Sequence, residues 1–411
     1  MVSRLNRFQD YRPVIGTPVW ESILRLAQKL SGVKVKMVNS TAVGGGVAEI
    51  LQRLVPLLND LGVVTTWEVI EGDGEFFKAT KLVHNALHGA REELTPRQQD
   101  IYWTCTEKNL RKFNFAEDYI FIHDPQPAGL IQAKSHSPAK WIWRCHIDIS
   151  SPYSQVWEFL RPLVCQYDAS IFSAPSFAQN LPIPQYMISP SIDPLSVKNQ
   201  EVPQHRIKEY LLKHEIDPRR PILTQVSRFD KLKDPLGVIK TYQLVKKSED
   251  CQLVLAGGGA TDDPESVEII PRVYEAAASD KDIHVLDLPP NSDREVNILQ
   301  WASTVILQKS LREGFALTVT EALWKKKPVV ASAVGGIPLQ VIHNYTGLLV
   351  RSIEGAALKI IYLLRNPHVA QRLGENGRQH VLQNFLITRH IRDYLLVMIA
   401  LRQPGEKVIY L

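Results

Sequence analysis

Residues 304 to 324 constrain the fold more than any other stretch. Thr304-Val-Ile-Leu-Gln is an apolar run of strand length. It gives way to a polar loop, Lys309-Ser-Leu-Arg-Glu-Gly-Phe-Ala, and then to Leu317-Thr-Val-Thr-Glu-Ala-Leu-Trp, which reads as the start of a helix. A buried strand passing through a short glycine-bearing loop into a helix is the repeating unit of a parallel α/β sheet. The first N–H groups of such a helix have no partner within it and face whatever lies in front, so the loop is a natural anion site. Glu313 and Glu321 flank that loop, and a carboxylate there serves some purpose other than binding the anion. A ligand carrying both phosphate and hydroxyls, such as a nucleotide sugar, accounts for both features.

The same unit recurs along the chain. Val33 to Asn39 predicts a strand, Ser40-Thr-Ala-Val-Gly-Gly-Gly a turn, and Val47 to Leu61 a helix. This is a Rossmann-like opening without the dinucleotide fingerprint, so Gly44, Gly45 and Gly46 either approach a phosphate or sugar or only make the turn. Further strands are expected at Thr65–Ile70, Tyr119–Ile122, Trp141–Cys145, Ala169–Phe172 and Tyr186–Ser189, with helices at Phe76–Gly89 and Gln98–Phe113. Two strands end in polar residues, His123-Asp and His146-Ile-Asp, at the sheet edge where α/β proteins bind ligands. Pro190 to Pro203 reads as a linker. A second series follows, with strands at 222–226, 252–256, 284–287, 304–308, 328–331 and 347–350, and closing helices at 353–365, 367–384 and 388–401. A chain of 411 residues exceeds one ordinary domain. The expected division is 1–195 with a returning helix at 388–411, and 196–387. Two such domains leave a cleft, a favoured place for ligands.

Composition narrows the partners. A net charge of +5 suits a small anionic ligand and is too weak to argue for nucleic acid. The four cysteines, Cys105, Cys145, Cys165 and Cys251, show neither disulfide nor zinc spacing. No apolar run is long enough to span a membrane, and Met1–Asp10 lacks the apolar core of a signal peptide. The expected compartment is the cytoplasm.

The candidate chemistry is glycosyl transfer. The leaving nucleoside diphosphate needs its developing charge stabilised. Arg228 and Lys233 follow a strand directly and would clamp the phosphates. The backbone of Gly314, Phe315, Ala316 and Leu317 would offer N–H groups. Glu313 would accept hydrogen bonds from sugar hydroxyls, and Glu321, with two acceptor oxygens, from the ribose.

The arrangement Glu313-Gly-Phe-x-Leu with Glu321, followed by Ala331-Ser-Ala-Val-Gly-Gly-Ile-Pro and joined by Ser227-Arg-Phe-Asp-Lys-Leu-Lys-Asp, resembles the retaining glycosyltransferases of family four, with the GT-B fold. Val38-Asn-Ser-Thr-Ala-Val-Gly-Gly-Gly-Val-Ala-Glu, Ile122-His-Asp-Pro-Gln-Pro and Trp143-Arg-Cys-His-Ile-Asp closely resemble the trehalose-forming subgroup. The resemblance covers nearly the whole chain. It implies two Rossmann-like domains facing across a cleft, and transfer of glucose from a nucleoside-diphosphate glucose (ADP-, UDP- or GDP-) to free glucose. In this scheme Arg228, Lys233 and the Gly314 backbone hold the diphosphate, Glu313 the glucose and Glu321 the ribose. Gly44, Gly45 and Gly46 close over the donor, His146 sits by the reacting sugar, and His123, Asp124, Arg144 and Asp148 shape the acceptor pocket. The resemblance implies same-face attack without a protein nucleophile. No cofactor or fixed metal is required, with Mg2+ only as a companion of the nucleotide. The partners are small molecules, and a homodimer is compatible with the family. The alternatives are a trehalose phosphorylase and an inactive sugar-binding relative. The Leu286-Asp-Leu-Pro-Pro-Asn loop is a candidate for base binding. Two positions depart from the family: Ala316 and Lys327 stand where relatives often have glycine. Lys327 is expected at a helix C-terminus, where a cation is tolerated.

Overall fold

The computed structural model describes residues 6–43, 45–258, 265–289 and 292–403. The chain forms two compact units, Met1–Ser191 with Ile387–Leu411, and Ile192–Leu386. The first boundary falls earlier than the expected 195/196. The reason is local: the Ile192 N–H donates to the Phe385 carbonyl at 2.9 Å, and Ile192 bridges Leu386, so the chain joins the second unit there.

The N-terminal unit is built on six parallel strands: β1 Lys34–Asn39, β2 Val64–Val69, β3 Tyr119–His123, β4 Lys140–Arg144, β5 Ala169–Phe172 and β6 Gln185–Met187. Their order is β2-β1-β3-β4-β5-β6. β3 and β5 are buried throughout, as parallel strands covered on both faces must be. Lys36 is the exception that explains itself. It lies buried inside β1, where Glu68 and Glu117 take its ammonium at 2.9 and 3.2 Å. The first glycine-loop helix runs Gly45–Asp60, so Gly45 and Gly46 open the helix rather than precede it. The helix Ser154–Val164, which contains Pro162, and the 3-10 stretch Ala128–His136 come in addition to the elements expected from sequence. The last helix, Ile387–Arg402, belongs to this unit. The Tyr119 hydroxyl donates to the Met398 carbonyl at 2.7 Å, and Phe121 stacks on Tyr394 at 5.0 Å.

The C-terminal unit holds β7 Ile222–Val226, β8 Gln252–Gly257, β9 Ile283–Asp287, β10 Val305–Gln308, β11 Val329–Ser332 and β12 Leu348–Val350, in the order β12-β11-β10-β7-β8-β9. Successive residues of a strand face opposite sides. Leu253 and Leu255 therefore join one core, under helices Pro235–Lys246, Glu265–Ala277 and Ile353–Arg365. Val254 and Ala256 join the other, under Gln204–Lys213 and Asp293–Ala302.

The strand orders locate the ligand edges. In the first sheet the chain builds outward from β1 to β2 and then restarts with β3 on the other side of β1. In the second it builds β7-β8-β9 and restarts with β10 beside β7. Loops that leave such a switch point diverge and open a crevice at the C-terminal strand ends. The loops after β1, β3 and β4, and those after β7 and β10, hold most of the residues singled out from the sequence.

Candidate active site

At the switch point of the C-terminal unit, the loop after β7 is shaped by its aspartates. Asp230 accepts from the Lys233 N–H at 3.0 Å, and Asp234 caps the helix Pro235–Lys246 through the Gly237 N–H at 3.1 Å. Asp-Pro at a helix start is a readable signal, with the carboxylate taking an orphan N–H and proline at the first helical position. The loop is thereby held so that the Lys233 ammonium reaches the Glu313 carboxylate at 2.6 Å, 80 positions away in sequence. The Ser310 hydroxyl donates to the same carboxylate oxygen at 3.1 Å. Gln225 ties the two loops together, donating to the Lys233 carbonyl and accepting from the Lys309 N–H, each at 2.9 Å. Arg228 lies 3.5 Å from Asp230 with its side chain 44% exposed, so its guanidinium is accessible.

The Glu313 loop packs against the loop after β11. Gly335 has φ +54, and a Cβ there would lie 1.6 Å from the Glu313 carbonyl oxygen. The Gly336 N–H donates to the Gly314 carbonyl at 3.1 Å. Both glycines are needed for close backbone approach. Ala316 stands at φ 70, ψ 77, left-handed, immediately before the helix Leu317–Trp324. The departure from glycine therefore falls on a position where positive φ is required. The second departure resolves differently. The helix ends at Trp324 and the left-handed residue is Lys326, φ 59. Lys327 lies beyond the helix end, donates to the Trp301 carbonyl at 2.7 Å, and is lowered by burial to about 8.

Glu321, expected to meet a ribose, is fully buried on that helix. Lys198 approaches one carboxylate oxygen at 3.1 Å and Gln300 donates to the other at 3.1 Å. Burial pushes this carboxyl up, and Lys198 and Lys325 pull it down to a net lowering. Neither Lys198 nor Gln300 was legible in sequence, because a partner 123 or 21 positions away carries no local pattern. Of the 286–291 loop, Pro290 and Asn291 lie outside the described residues, as does Gly44.

In the N-terminal unit, His123 ends β3 and His146 follows β4, which pairs with it. His123 Nδ1 and His146 Nε2 are 3.0 Å apart and the rings stack at 5.3 Å. Asp124 takes φ 66, accepts from the His146 N–H at 2.7 Å through its carboxylate, and accepts from the Trp143 indole at 3.1 Å through its carbonyl. Burial raises its carboxyl to about 7, against the pull of that N–H and of Arg144. Burial and the nearby Arg144 charge lower His123 to about 3 and hold His146 well below the usual imidazole value. Both rings are neutral at neutral pH. Arg144, expected to line an acceptor pocket, is fully buried, donating to the Ile188 carbonyl at 2.7 Å and to the Ser173 hydroxyl at 3.3 Å. It ties β4 to the end of β6 and sets the local potential. Asp148 is also buried and accepts from the Ser150 N–H at 3.0 Å. His390, on the C-terminal helix, joins this group and is lowered by burial and the Arg389 and Arg144 charges. The sequence pattern held no sign of it. Among the described residues, no cluster of three His, Cys, Asp or Glu could hold a metal, and no helix is long and apolar enough to cross a membrane.

Known proteins bear on this arrangement. A family model described as trehalose synthase, N-terminal domain, matches residues 37–179, and one described as glycosyl transferases group 1 matches residues 207–380. A trehalose synthase of Thermococcus litoralis is 46% identical over 397 residues, 95% of this chain and 96% of that protein. A trehalose phosphorylase of Pleurotus pulmonarius is 30% identical over 98% of this chain and 62% of its own length. Among solved structures, an α,α-trehalose-phosphate synthase (UDP-forming) from Burkholderia xenovorans superposes with a TM-score of 0.72 over 89% of this chain and 100% of the other, at 14% identity. That likeness shows the GT-B fold. The sequence identity over almost the full length shows more: the chain belongs to the trehalose synthase family of group 1 glycosyltransferases, hexosyl-transferring enzymes of trehalose metabolism.

Proposed function

We propose that this protein makes α,α-trehalose by transferring glucose from a nucleoside-diphosphate glucose to free glucose, reversibly and with retention at the anomeric carbon. The observation that carries this reading is the Lys233–Glu313 pair at the switch point, set beside the loop that leads into the Leu317 helix. An ammonium has three donors, so Lys233 can keep Glu313 and still meet a phosphate oxygen. Arg228 adds a second, accessible cation for the leaving diphosphate. Glu313 turns its remaining acceptor capacity to sugar hydroxyls. Glu321 is assigned the ribose hydroxyls, which its buried carboxylate takes on giving up part of its contact with Lys198 or Gln300. In the N-terminal unit, neutral His146 and His123 with Asp124 form the polar edge that meets the glucosyl acceptor. A carboxyl near neutrality in its titration and two uncharged imidazoles bind hydroxyls without imposing a fixed charge. The acceptor hydroxyl attacks on the face from which the diphosphate departs, and the diphosphate takes its proton. Mg2+ enters only with the nucleotide.

Incubation with glucose and ADP-, UDP- or GDP-glucose is expected to yield trehalose. The competing reading is phosphorolysis of trehalose to glucose 1-phosphate. It is supported by the similarity to trehalose phosphorylase, but this chain spans less than two thirds of that relative's length. Turnover of trehalose with phosphate alone, and none with any nucleotide sugar, would overturn the proposal. Tight nucleotide binding with no product in either mixture would favour an inactive sugar-binding relative.

A further inference from the structure

Gln340 is buried beside the Glu313 loop yet meets none of the charged groups of the site. It closes the short helix Ile337–Gln340 and is fully buried. Its side-chain N–H donates to the Phe315 carbonyl, and its side-chain carbonyl accepts from the Thr320 hydroxyl at 2.5 Å. The orientation of this amide is forced. The Phe315 oxygen can only accept, so the amide nitrogen faces it, and Thr320 supplies the proton at the other end.

Successive carbonyls of the Glu313 loop thus all face the 335–340 loop. Glu313's lies against Gly335, Gly314's accepts from the Gly336 N–H, and Phe315's accepts from Gln340. The peptides here are trans, and a trans peptide sets its N–H opposite its C=O. The N–H groups of Gly314, Phe315 and Ala316 therefore point together away from the 335–340 loop, a row of donors that makes an anion-binding concavity. The Phe315–Ala316 peptide is the weak member. Ala316 is left-handed at φ 70, a conformation an alanine resists. Turning that one peptide over would bring Ala316 to negative φ. It would also replace the outward N–H with an outward carbonyl, an acceptor where an anion needs a donor.

We infer that Gln340 is a positioning residue of the donor site, which locks the Phe315–Ala316 peptide so that its N–H faces the anionic part of a nucleoside diphosphate. This rests on the reading of the Glu313 loop as a nucleoside-diphosphate site. Gln340 acts through Phe315 and does not touch the ligand.

The test is calorimetric titration of ADP, UDP and GDP into the full-length wild type, Gln340→Leu, Ala316→Gly and the double variant. Gln340→Leu is expected to weaken the preferred nucleotide about tenfold or more. In the Ala316→Gly background, where the left-handed turn is unstrained, the same change is expected to cost only about threefold. Such a dependence on residue 316 separates peptide locking from general loosening of the core. A folded Gln340→Leu protein that binds within about twofold of wild type overturns the inference. Should Gln340→Leu fail to fold, Thr320→Val, which keeps the shape and removes the orienting O–H, decides the matter. About threefold weaker binding supports the lock and unchanged binding overturns it. Wild type that binds none of the three nucleotides is a different result, and removes the site itself.

Discussion

Ala316→Gly is expected to stabilise the protein, and the size of the gain follows from one dihedral angle. Ala316 sits at φ 70, ψ 77. For an L-residue with a Cβ this conformation costs about 1–2 kcal/mol, since the Cβ crowds the following carbonyl. Glycine lacks that crowding but has more freedom to lose from the unfolded chain, about 0.5–1 kcal/mol. The net gain is about 0.5–1 kcal/mol. Residue 316 belongs to the unit Ile192–Leu386. For a unit of that size each kcal/mol moves the midpoint by about 2–4 °C, so the expected rise is about 1–4 °C. Differential scanning calorimetry resolves the transition that moves. The Ala316 side chain is only half-buried, so removing its methyl leaves little cavity to offset the gain. A midpoint at or below that of wild type would refute the reasoning, because it would mean that the alanine is not strained where it stands.

Gly335→Ala is expected to do the reverse. Its Cβ would meet the Glu313 carbonyl at 1.6 Å with φ already at +54, so a loss of about 3 kcal/mol is expected in urea unfolding, together with weaker nucleotide binding. A loss under about 1 kcal/mol would show that the two loops can separate freely. Arg228→Ala is expected to lower turnover about 100-fold with an unchanged melting midpoint, since the side chain is 44% exposed and lies 3.5 Å from Asp230. Near-normal turnover would remove it from the phosphate clamp. Acid should destabilise the N-terminal unit. His123, His146 and His390 are all held below the usual 6.5, so below that pH the unfolded chain binds more protons than the folded one. Their contribution is full above pH 6.5 and is lost as pH falls below it, for His123 down to about 3, while Asp124, raised from 3.8 to about 7, acts in the opposite sense between those two values. Denaturation at pH 7, 5 and 4 should show stability falling, with a shallower fall in His390→Phe; an equal slope in the variant would remove His390 from the effect.

Much of this fold could be read from local pattern. Among the described residues strands alternate with helical segments, and the helices Ile353–Arg365 and Pro367–Asn384 begin where the Ser352 cap and Pro367 place them. The candidate loops were legible for the same reason. Ligand edges in parallel sheets lie at and beyond the C-terminal strand ends; His123 ends its strand, and Arg228, Lys233, Glu313 and His146 follow theirs. The helix Ser154–Val164 runs on through Pro162, a residue that in sequence argues against a helix interior. The division of the chain was displaced because one pair of backbone partners, Ile192 and Phe385, lies far apart in sequence.

Sequence alone determined the α/β class, the two series of strands and the short list of charged residues at strand ends. These depend on periodicity and on the residue types that succeed each strand, both local properties. Only the tertiary structure decided how those residues are partnered. It pairs Lys233 with Glu313, encloses Glu321 with Lys198 and Gln300, and buries Arg144 in the sheet. It also sets Ala316, one of the two departures from the family's glycine, at positive φ. Ion pairing, burial and backbone strain depend on groups brought together from distant positions, and a linear pattern holds no record of them.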